Sequence, residues 1–218
     1  MEKGSSVIKK AFFGGSFDPP HTGHLGVARA ALDSGKCDAV EWFPAADPPH
    51  KQNRKRASFA DRMNMVRLMI ADEAQMSVSG FEAEAELHPS YTFNILAELE
   101  KRTGIRDILL IGADSLLSLH TWYNARELAE KTDFITYPRP DSEVTMEKLL
   151  QHWDEKIAEK LMQSLICGTF FEISSTEVKN SMEKRAFRHH IIEKQGLHPA
   201  VSEYIRKRGL YLIGKENL

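Results

Sequence analysis

The sequence predicts an α/β fold, a doubly wound parallel sheet with helices on both faces and a small helical portion at the C-terminus. Three observations lead there. Short β-prone runs alternate with longer stretches of helical periodicity, as in a series of βαβ units. The run Ile108-Leu109-Leu110-Ile111 is apolar without alternation, which suits a strand covered on both faces. Three strand candidates end in glycine or proline, at Gly14-Gly15, Pro44 and Gly112. Ligands of such sheets bind at the carboxyl ends of the strands, so these three ends are expected to share one functional face.

The elements follow in order. Val7 to Phe13 is the first strand, stopped by Gly14-Gly15. A helix from about His24 to Leu32 carries Leu25, Ala28 and Leu32 on one face and closes at Gly35. Ala39 to Phe43 is the second strand, ended by Pro44. Ser58-Phe59-Ala60-Asp61 has the form of a capping box and opens a helix reaching about Ala74, with Phe59, Met63, Val66 and Ile70 at helical spacing. Met76 to Phe81 reads as a short strand. Tyr91 to Arg102 is a helix with Phe93, Leu96 and Leu99 apolar and Gly104 as its stop. After Ile108–Ile111, Asp133 to Tyr137 gives one more strand before Pro138 and Pro140. Leu149, Leu150, Trp153, Ile157 and Leu161 mark one amphipathic helix from Met146 to Ser164, read as packing, and a last helix from about Ala200 to Lys207 stops at Gly209. The chain is read as a single domain, 1–218, with the sheet in 1–172 and the helical portion in 173–218.

Composition excludes several classes. Lys and Arg number 29 against 31 Asp and Glu, a net charge of −2, which argues against coating nucleic acid or an anionic membrane by bulk electrostatics. Nothing approaches 18 consecutive apolar residues, so a membrane span is not expected. The apolar stretch around Ala11 to Phe13 is too short for a signal peptide. Cys37 and Cys167 lack metal-site spacing and fit a reducing, cytoplasmic location. His189, His190 and His198 have no matching Cys or acidic spacing, so no protein-held metal is expected. Lys51 to Arg56 holds four basic residues in six. It lacks the interleaved aromatics of a single-strand RNA groove and reads as a solvated loop beside a phosphate site.

The chemistry concentrates in Gly14-Gly15-Ser16-Phe17-Asp18-Pro19-Pro20-His21-Thr22-Gly23-His24. The stretch follows a predicted strand and opens a predicted helix, where backbone N–H groups and the helix dipole bind phosphate. Its glycines let backbone approach an anion, and Pro19-Pro20 stiffens the turn. His21 and His24, three apart, share a face of the first helical turn, and Gly23 removes a side chain from between them. Two imidazoles converging on phosphate oxygens could stabilise charge in phosphoryl or nucleotidyl transfer. The P-loop pattern and the ordinary dinucleotide G-x-G-x-x-G fingerprint are both absent here.

Gly14 to Leu25 resembles the H-x-G-H signature of the nucleotidyltransferase superfamily, and the resemblance implies a Rossmann-like sheet. The superfamily's second, I-S-S-T-x-x-R-type motif appears as Ile173-Ser174-Ser175-Thr176-Glu177-Val178-Lys179, with Lys where Arg is usual. Lys keeps the charge and loses the bidentate fork. Three further segments resemble the bacterial nicotinate-mononucleotide adenylyltransferase family. They are Pro48-Pro49-His50-Lys51, Pro89-Ser90-Tyr91-Thr92, and Gly112-Ala113-Asp114-Ser115 followed by Trp122-Tyr123. Tyr137-Pro138-Arg139-Pro140 also matches, although Asp141 stands where that family usually has Gly.

The resemblance implies adenylyl transfer from ATP to nicotinate mononucleotide, with Mg²⁺ carried on the ATP phosphates. It places His21 and His24 on the reacting phosphates. ATP would lie on Gly14, Gly15, Ser16, Phe17 and Gly23, with Gly112, Asp114 and Arg139 toward its adenosine half. Lys51 and Lys179 would act as cationic clamps beside Ser174, Ser175 and Thr176. The mononucleotide would meet His50, the Thr92 backbone, the Trp122 indole face and the Tyr123 amide. No nucleic-acid or membrane partner is expected, and a homo-oligomer is left open. Two alternatives stay open at this point. One is a sister nucleotidyltransferase making a phosphopantetheine or cytidylyl product. The other is a nucleotide-binding protein without turnover, suggested by Lys179.

Overall fold

Phe12 and Phe13 are neighbours in the chain and end up in different cores. The computed structural model describes residues 8–46, 56–85, 87, 89–167, 175, 178 and 196–211. Five strands, β1 (Lys10–Gly15), β2 (Ala39–Pro44), β3 (Met76–Val78), β4 (Ile108–Gly112) and β5 (Phe134–Tyr137), form one sheet in the order β3-β2-β1-β4-β5. Every pairing is parallel. Side chains alternate across such a sheet. Ala11, Phe13, Val40, Trp42, Leu110 and Ile135 join one buried cluster, while Phe12, Phe43, Leu109, Ile111 and Phe134 join a second. Helices cover both clusters, so the strands are buried twice over, which explains their unbroken apolar runs.

The first cluster packs under α1 (Thr22–Asp33), α2 (Phe59–Met69) and α9 (Pro199–Arg208). The second packs under α4 (Thr92–Thr103), α5 (Ala113–Leu117), α6 (Ala125–Lys131) and α8 (Glu155–Gln163). Trp42 is fully buried, edge-on to Phe13 at 4.9 Å, and Phe12 stacks on Phe43 at 4.2 Å. Full burial of each such side chain is worth roughly 1.5–3 kcal/mol. α9 joins α2 through the buried carboxylate of Asp61, which accepts from Ser58 Oγ at 2.6 Å, Tyr204 Oη at 2.8 Å and Arg208 Nε at 3.1 Å. Those bonds, Ser58 first, hold Asp61 below the usual carboxylate range.

Several boundaries differ from the sequence reading, each for a local reason. β1 runs through Gly14 and Gly15, which pair with Phe43 and Pro44, so the glycines belong to the strand end. Val7 lies outside the described residues. Pro44 closes β2 from inside, where a missing N–H costs the ladder little. α2 stops at Met69, before Ala74. β3 ends at Val78, and Phe81 opens the short helix α3 (Phe81–Glu84). The single helix expected over 146–164 is two, α7 (Met146–Leu150) and α8. Asp154 divides them: its side chain accepts from the Ile157 N–H at 3.0 Å and caps α8, a local bond that competes with continuing α7. Leu150 is left 49% exposed, outside the core it was assigned to. Gly104 caps α4 at φ 71°, as its sequence position suggests.

Candidate functional site

The order β3-β2-β1-β4-β5 places the topological switch between β1 and β4, whose connections leave toward opposite faces. Their carboxyl ends, Gly15 and Gly112, therefore flank one crevice, and the G-S-F-D-P-P-H turn rises from it into α1.

That turn is built by tertiary contacts. Phe17 has φ 45°, a conformation a bulky residue adopts only when its surroundings demand it. Its ring is 1% exposed and packs against Phe13, Trp42 and His24 at centroid distances of 5.4, 5.0 and 5.1 Å. The buried Asp18 accepts from the Ala57 N–H at 3.1 Å and Tyr211 Oη at 2.6 Å. The Asp18–Pro19 peptide is cis. Ser175 of the second motif donates to the Pro19 carbonyl at 3.0 Å, and the Thr22 N–H donates to the Gly196 carbonyl at 2.7 Å. The C-terminal portion is thus part of the site.

His21 is the N-cap of α1 and His24 its third residue, and the helix opens two residues earlier than the sequence reading places it. The His21 N–H donates to Nδ1 of His24 at 3.3 Å, so a neutral His24 carries its proton on Nε2. The two rings lie 3.7 Å apart at the helix N-terminus. Together with Gly14, Gly15, Phe17 and Gly23 they form one wall of a cleft of ≈ 200 Å³, and Gly112, Asp114, Trp122 and Arg139 form the other. Asp114 Oδ1 and Arg139 Nε pair at 2.9 Å across the end of β4, with both side chains about half exposed. The pair commits one oxygen of Asp114, which the resemblance places toward the adenosine half of ATP together with Arg139. A Cβ at Gly112 would sit 2.5 Å from Asp114 Oδ1 and 2.9 Å from Arg139 Nε, so this position requires glycine while the pair stays in place.

A second pocket, ≈ 140 Å³, shares Gly14, Gly15 and Trp122 with the cleft and adds Thr92, Ser90 and Glu82. Tyr123 lines neither pocket: it is 49% exposed and stacks on Tyr91 at 4.6 Å, tying the two loops that the resemblance assigned to one ligand. The Ser16 side chain is not part of either lining; its carbonyl is the anchoring group. His50, Lys51, Ser174, Thr176 and Lys179 lie outside the described residues. A roomier pocket of ≈ 520 Å³ lies behind α1 beside the Arg29–Glu73 ion pair, away from the histidine pair. Among the described residues no group of three or more His, Cys, Asp or Glu side chains could hold a metal ion, and no helix is long and apolar enough to cross a membrane.

Two functional candidates escaped the sequence. Arg62, 1% exposed, donates to the carbonyls of Ser16 at 2.8 Å and Ala45 at 2.7 Å, joining the turns after β1 and β2. Burial pulls its guanidinium down to about 10, where it remains charged at neutral pH. Its signal was present: three residues after Phe59, a charge falls on the apolar stripe of α2. Glu82, 6% exposed, accepts from the Ala46 N–H at 3.1 Å. Nothing in Phe81-Glu82-Ala83-Glu84 distinguishes it from its exposed neighbour Glu84.

The switch-point cleft marks a nucleotide-binding α/β protein of the doubly wound class. The chain belongs to the cytidylyltransferase-like family, which it matches over residues 12–181, and within it to the nicotinate-nucleotide adenylyltransferases. It is 38% identical over 201 residues to a Gloeobacter violaceus protein named "Probable nicotinate-nucleotide adenylyltransferase", covering 91% of this chain and 94% of that one. A Neisseria meningitidis protein of the same name is 34% identical over 205 residues, covering 93% and 98%. Among solved structures, Plasmodium falciparum nicotinic acid mononucleotide adenylyltransferase complexed with NaAD superposes with a TM-score of 0.72 at 18% identity, over 94% of this chain and 98% of that one. This likeness establishes the shared Rossmann-like fold.

Proposed function

We propose that the chain joins ATP and nicotinate mononucleotide into deamido-NAD, releasing pyrophosphate. The observation that carries this reading is the convergence of His21 and His24 at the N-terminus of α1, facing Gly112 across the switch point. The names of the relatives supply the substrate class.

A phosphate monoester is already a nucleophile at neutral pH, so the site needs no serine or cysteine nucleophile. An oxygen of the mononucleotide phosphate bonds to the α-phosphorus of ATP. The bridging P–O bond breaks, and its electron pair leaves with pyrophosphate. The chain's task is to position two anions and to stabilise the charge that builds on the α-phosphoryl oxygens. His24, with a proton on Nε2, and His21 beside it donate toward those oxygens, supported by the α1 dipole. Backbone at Gly14 and Gly15 allows close approach of the phosphates. Asp114 and Arg139 flank the adenosine half, while Thr92 and Trp122 face the pyridine half. Ser175 closes the turn from the second motif, with Ser174, Thr176, Lys179, His50 and Lys51 proposed as further contacts. Mg²⁺ enters as part of the Mg·ATP substrate.

The test is pyrophosphate release from ATP with nicotinate mononucleotide, nicotinamide mononucleotide and phosphopantetheine compared side by side. Release with the first, with deamido-NAD as coproduct, is expected. Fastest release with phosphopantetheine would make the chain a sister enzyme. ATP binding without turnover on any of the three would make it a binding protein.

A further inference from the structure

Among the described residues, Glu82 is the one ionisable side chain lining the ≈ 140 Å³ pocket beside Trp122; its other walls are aliphatic, aromatic, hydroxyl or backbone. The pocket's volume matches about five waters, enough for a flat ring and not for the ring with a hydration shell. On the proposed reading, the ligand of this pocket is a pyridine carrying a carboxylate, so an anion enters a space whose single titratable wall is itself a carboxyl.

We propose that the pocket binds its carboxylate-bearing ring together with a proton, taken from solvent onto Glu82. The inference rests on the adenylyltransferase reading and assigns the residue that adapts this pocket to an acid. In the step one proton moves from solvent to a Glu82 oxygen; no other bond forms or breaks.

The surroundings give the direction. The Glu82 carboxyl accepts from the Ala46 N–H at 3.1 Å, which ties it to the turn after β2, and the Ser90 hydroxyl on the loop entering α4 lines the same pocket and favours its anion. The charged groups facing it are Arg62 on α2 and Arg56 just before that helix, both already donating to the Ala45 carbonyl. All four favour the anion, yet burial outweighs them and pushes the carboxyl up to about 7. A ligand carboxylate adds a like charge and displaces the remaining water, and both changes favour the protonated form further. Two carboxylates in one small site share a proton as in other acid pairs, and protonated Glu82 gains a donor that can face the ligand. An uncharged carboxamide ring supplies no such push.

Titration calorimetry of nicotinate mononucleotide in buffers of different ionisation enthalpy reads the protons taken up per ligand bound. At pH 8 the wild-type chain should take up more than Glu82→Gln by a difference approaching one proton, vanishing by about pH 6. The difference isolates Glu82, because histidine and phosphate contributions are common to both chains. Affinity of the wild type should fall by up to about tenfold per pH unit above pH 7, while that of Glu82→Gln stays flat. Ser90→Ala removes a hydroxyl that favours the anion and should carry the onset of the fall to higher pH; it serves if Glu82→Gln does not fold. Equal uptake by both chains, or wild-type uptake of the same size with nicotinamide mononucleotide, overturns the inference and leaves the enzymatic reading standing. No binding of nicotinate mononucleotide and no pyrophosphate release overturns both.

Discussion

Gly15→Ala is expected to damage both stability and catalysis, because the β1 end and the Phe17 ring occupy the same space. A Cβ built at Gly15 would lie 2.8, 2.9 and 3.2 Å from Cζ, Cε1 and Cε2 of Phe17. Carbon atoms pack at about 3.5–4.0 Å, so the ring must retreat by roughly 0.7 Å or more. It has little room: it is 1% exposed and held by Phe13, Trp42 and His24, and its backbone at φ 45° is already in a sparsely allowed region. Overpacking of this kind costs about 1–3 kcal/mol. Part of the displacement reaches His24, which meets the Phe17 ring edge-on at 5.1 Å. Urea denaturation should therefore show a lowered midpoint with unchanged slope, and pyrophosphate release should fall at least about tenfold, the loss expected when a positioned group shifts by a fraction of an ångström. Gly35→Ala is the control. Gly35 has φ 68° and nothing within 4 Å of an added Cβ, so it should lose about 1 kcal/mol of stability and no activity. Wild-type stability and rate in Gly15→Ala would refute the packing argument.

Three other outcomes are expected. His24→Ala should lower kcat by about 10²-fold or more while the Kd for ATP, measured by calorimetry, changes by less than about threefold; an unchanged rate would remove His24 from the chemistry. Tyr211→Phe deletes the hydroxyl donating to Asp18 at 2.6 Å and should cost about 1–2 kcal/mol in urea unfolding together with a raised KM for ATP; a loss of stability with ATP handling intact would make the contact purely structural. Glu82 raises the pH sensitivity of folding: its carboxyl moves from 4.5 in the unfolded chain to about 7 in the folded one, so the folded state binds the proton more tightly. That stability is fully present below pH 4.5 and lost as pH rises to about 7, roughly 3 kcal/mol in all. The wild-type free energy of unfolding minus that of Glu82→Gln should therefore fall across this window, and a flat difference would contradict the burial argument.

What could be read from the sequence was what covalent spacing dictates. His21, Gly23 and His24 lie within four residues, so a strand–turn–helix reading brings them together before any tertiary contact is known. The same holds for Gly112, which ends an apolar strand, and for Gly104, whose left-handed φ follows from its place after α4. Properties created by distant partners were hidden. Glu82 differs from Glu84 because the Ala46 amide reaches it from the turn after β2. Phe17 takes φ 45° because Phe13 and Trp42 demand its ring. The 146–164 region kept a helical apolar period across two helices, because α8 resumes nearly in phase after Asp154 caps it; periodicity reports the buried face and is blind to a cap that interrupts it.

The contacts that fix the β1–α1 turn come from elements far from it in the sequence. Arg62 reaches Ser16 from α2, Tyr211 reaches Asp18 from beyond α9, and Ser175 reaches Pro19 from the second motif. Each grips a carbonyl or carboxylate of the turn, the Thr22 N–H is held by the Gly196 carbonyl, and the histidine pair that the turn carries faces the cleft. That division of labour explains why a site for polyanions sits in a chain of net charge −2. Among the described residues, positive potential at the cleft comes from the helix N-terminus, the imidazole pair and Arg139, a local arrangement that needs no large excess of cations over the whole chain. The buried guanidinium of Arg62 is consumed in holding the loop that presents them. Positive charge in this fold is therefore used twice, once as a structural donor and once as a field, and the −2 balance is compatible with both.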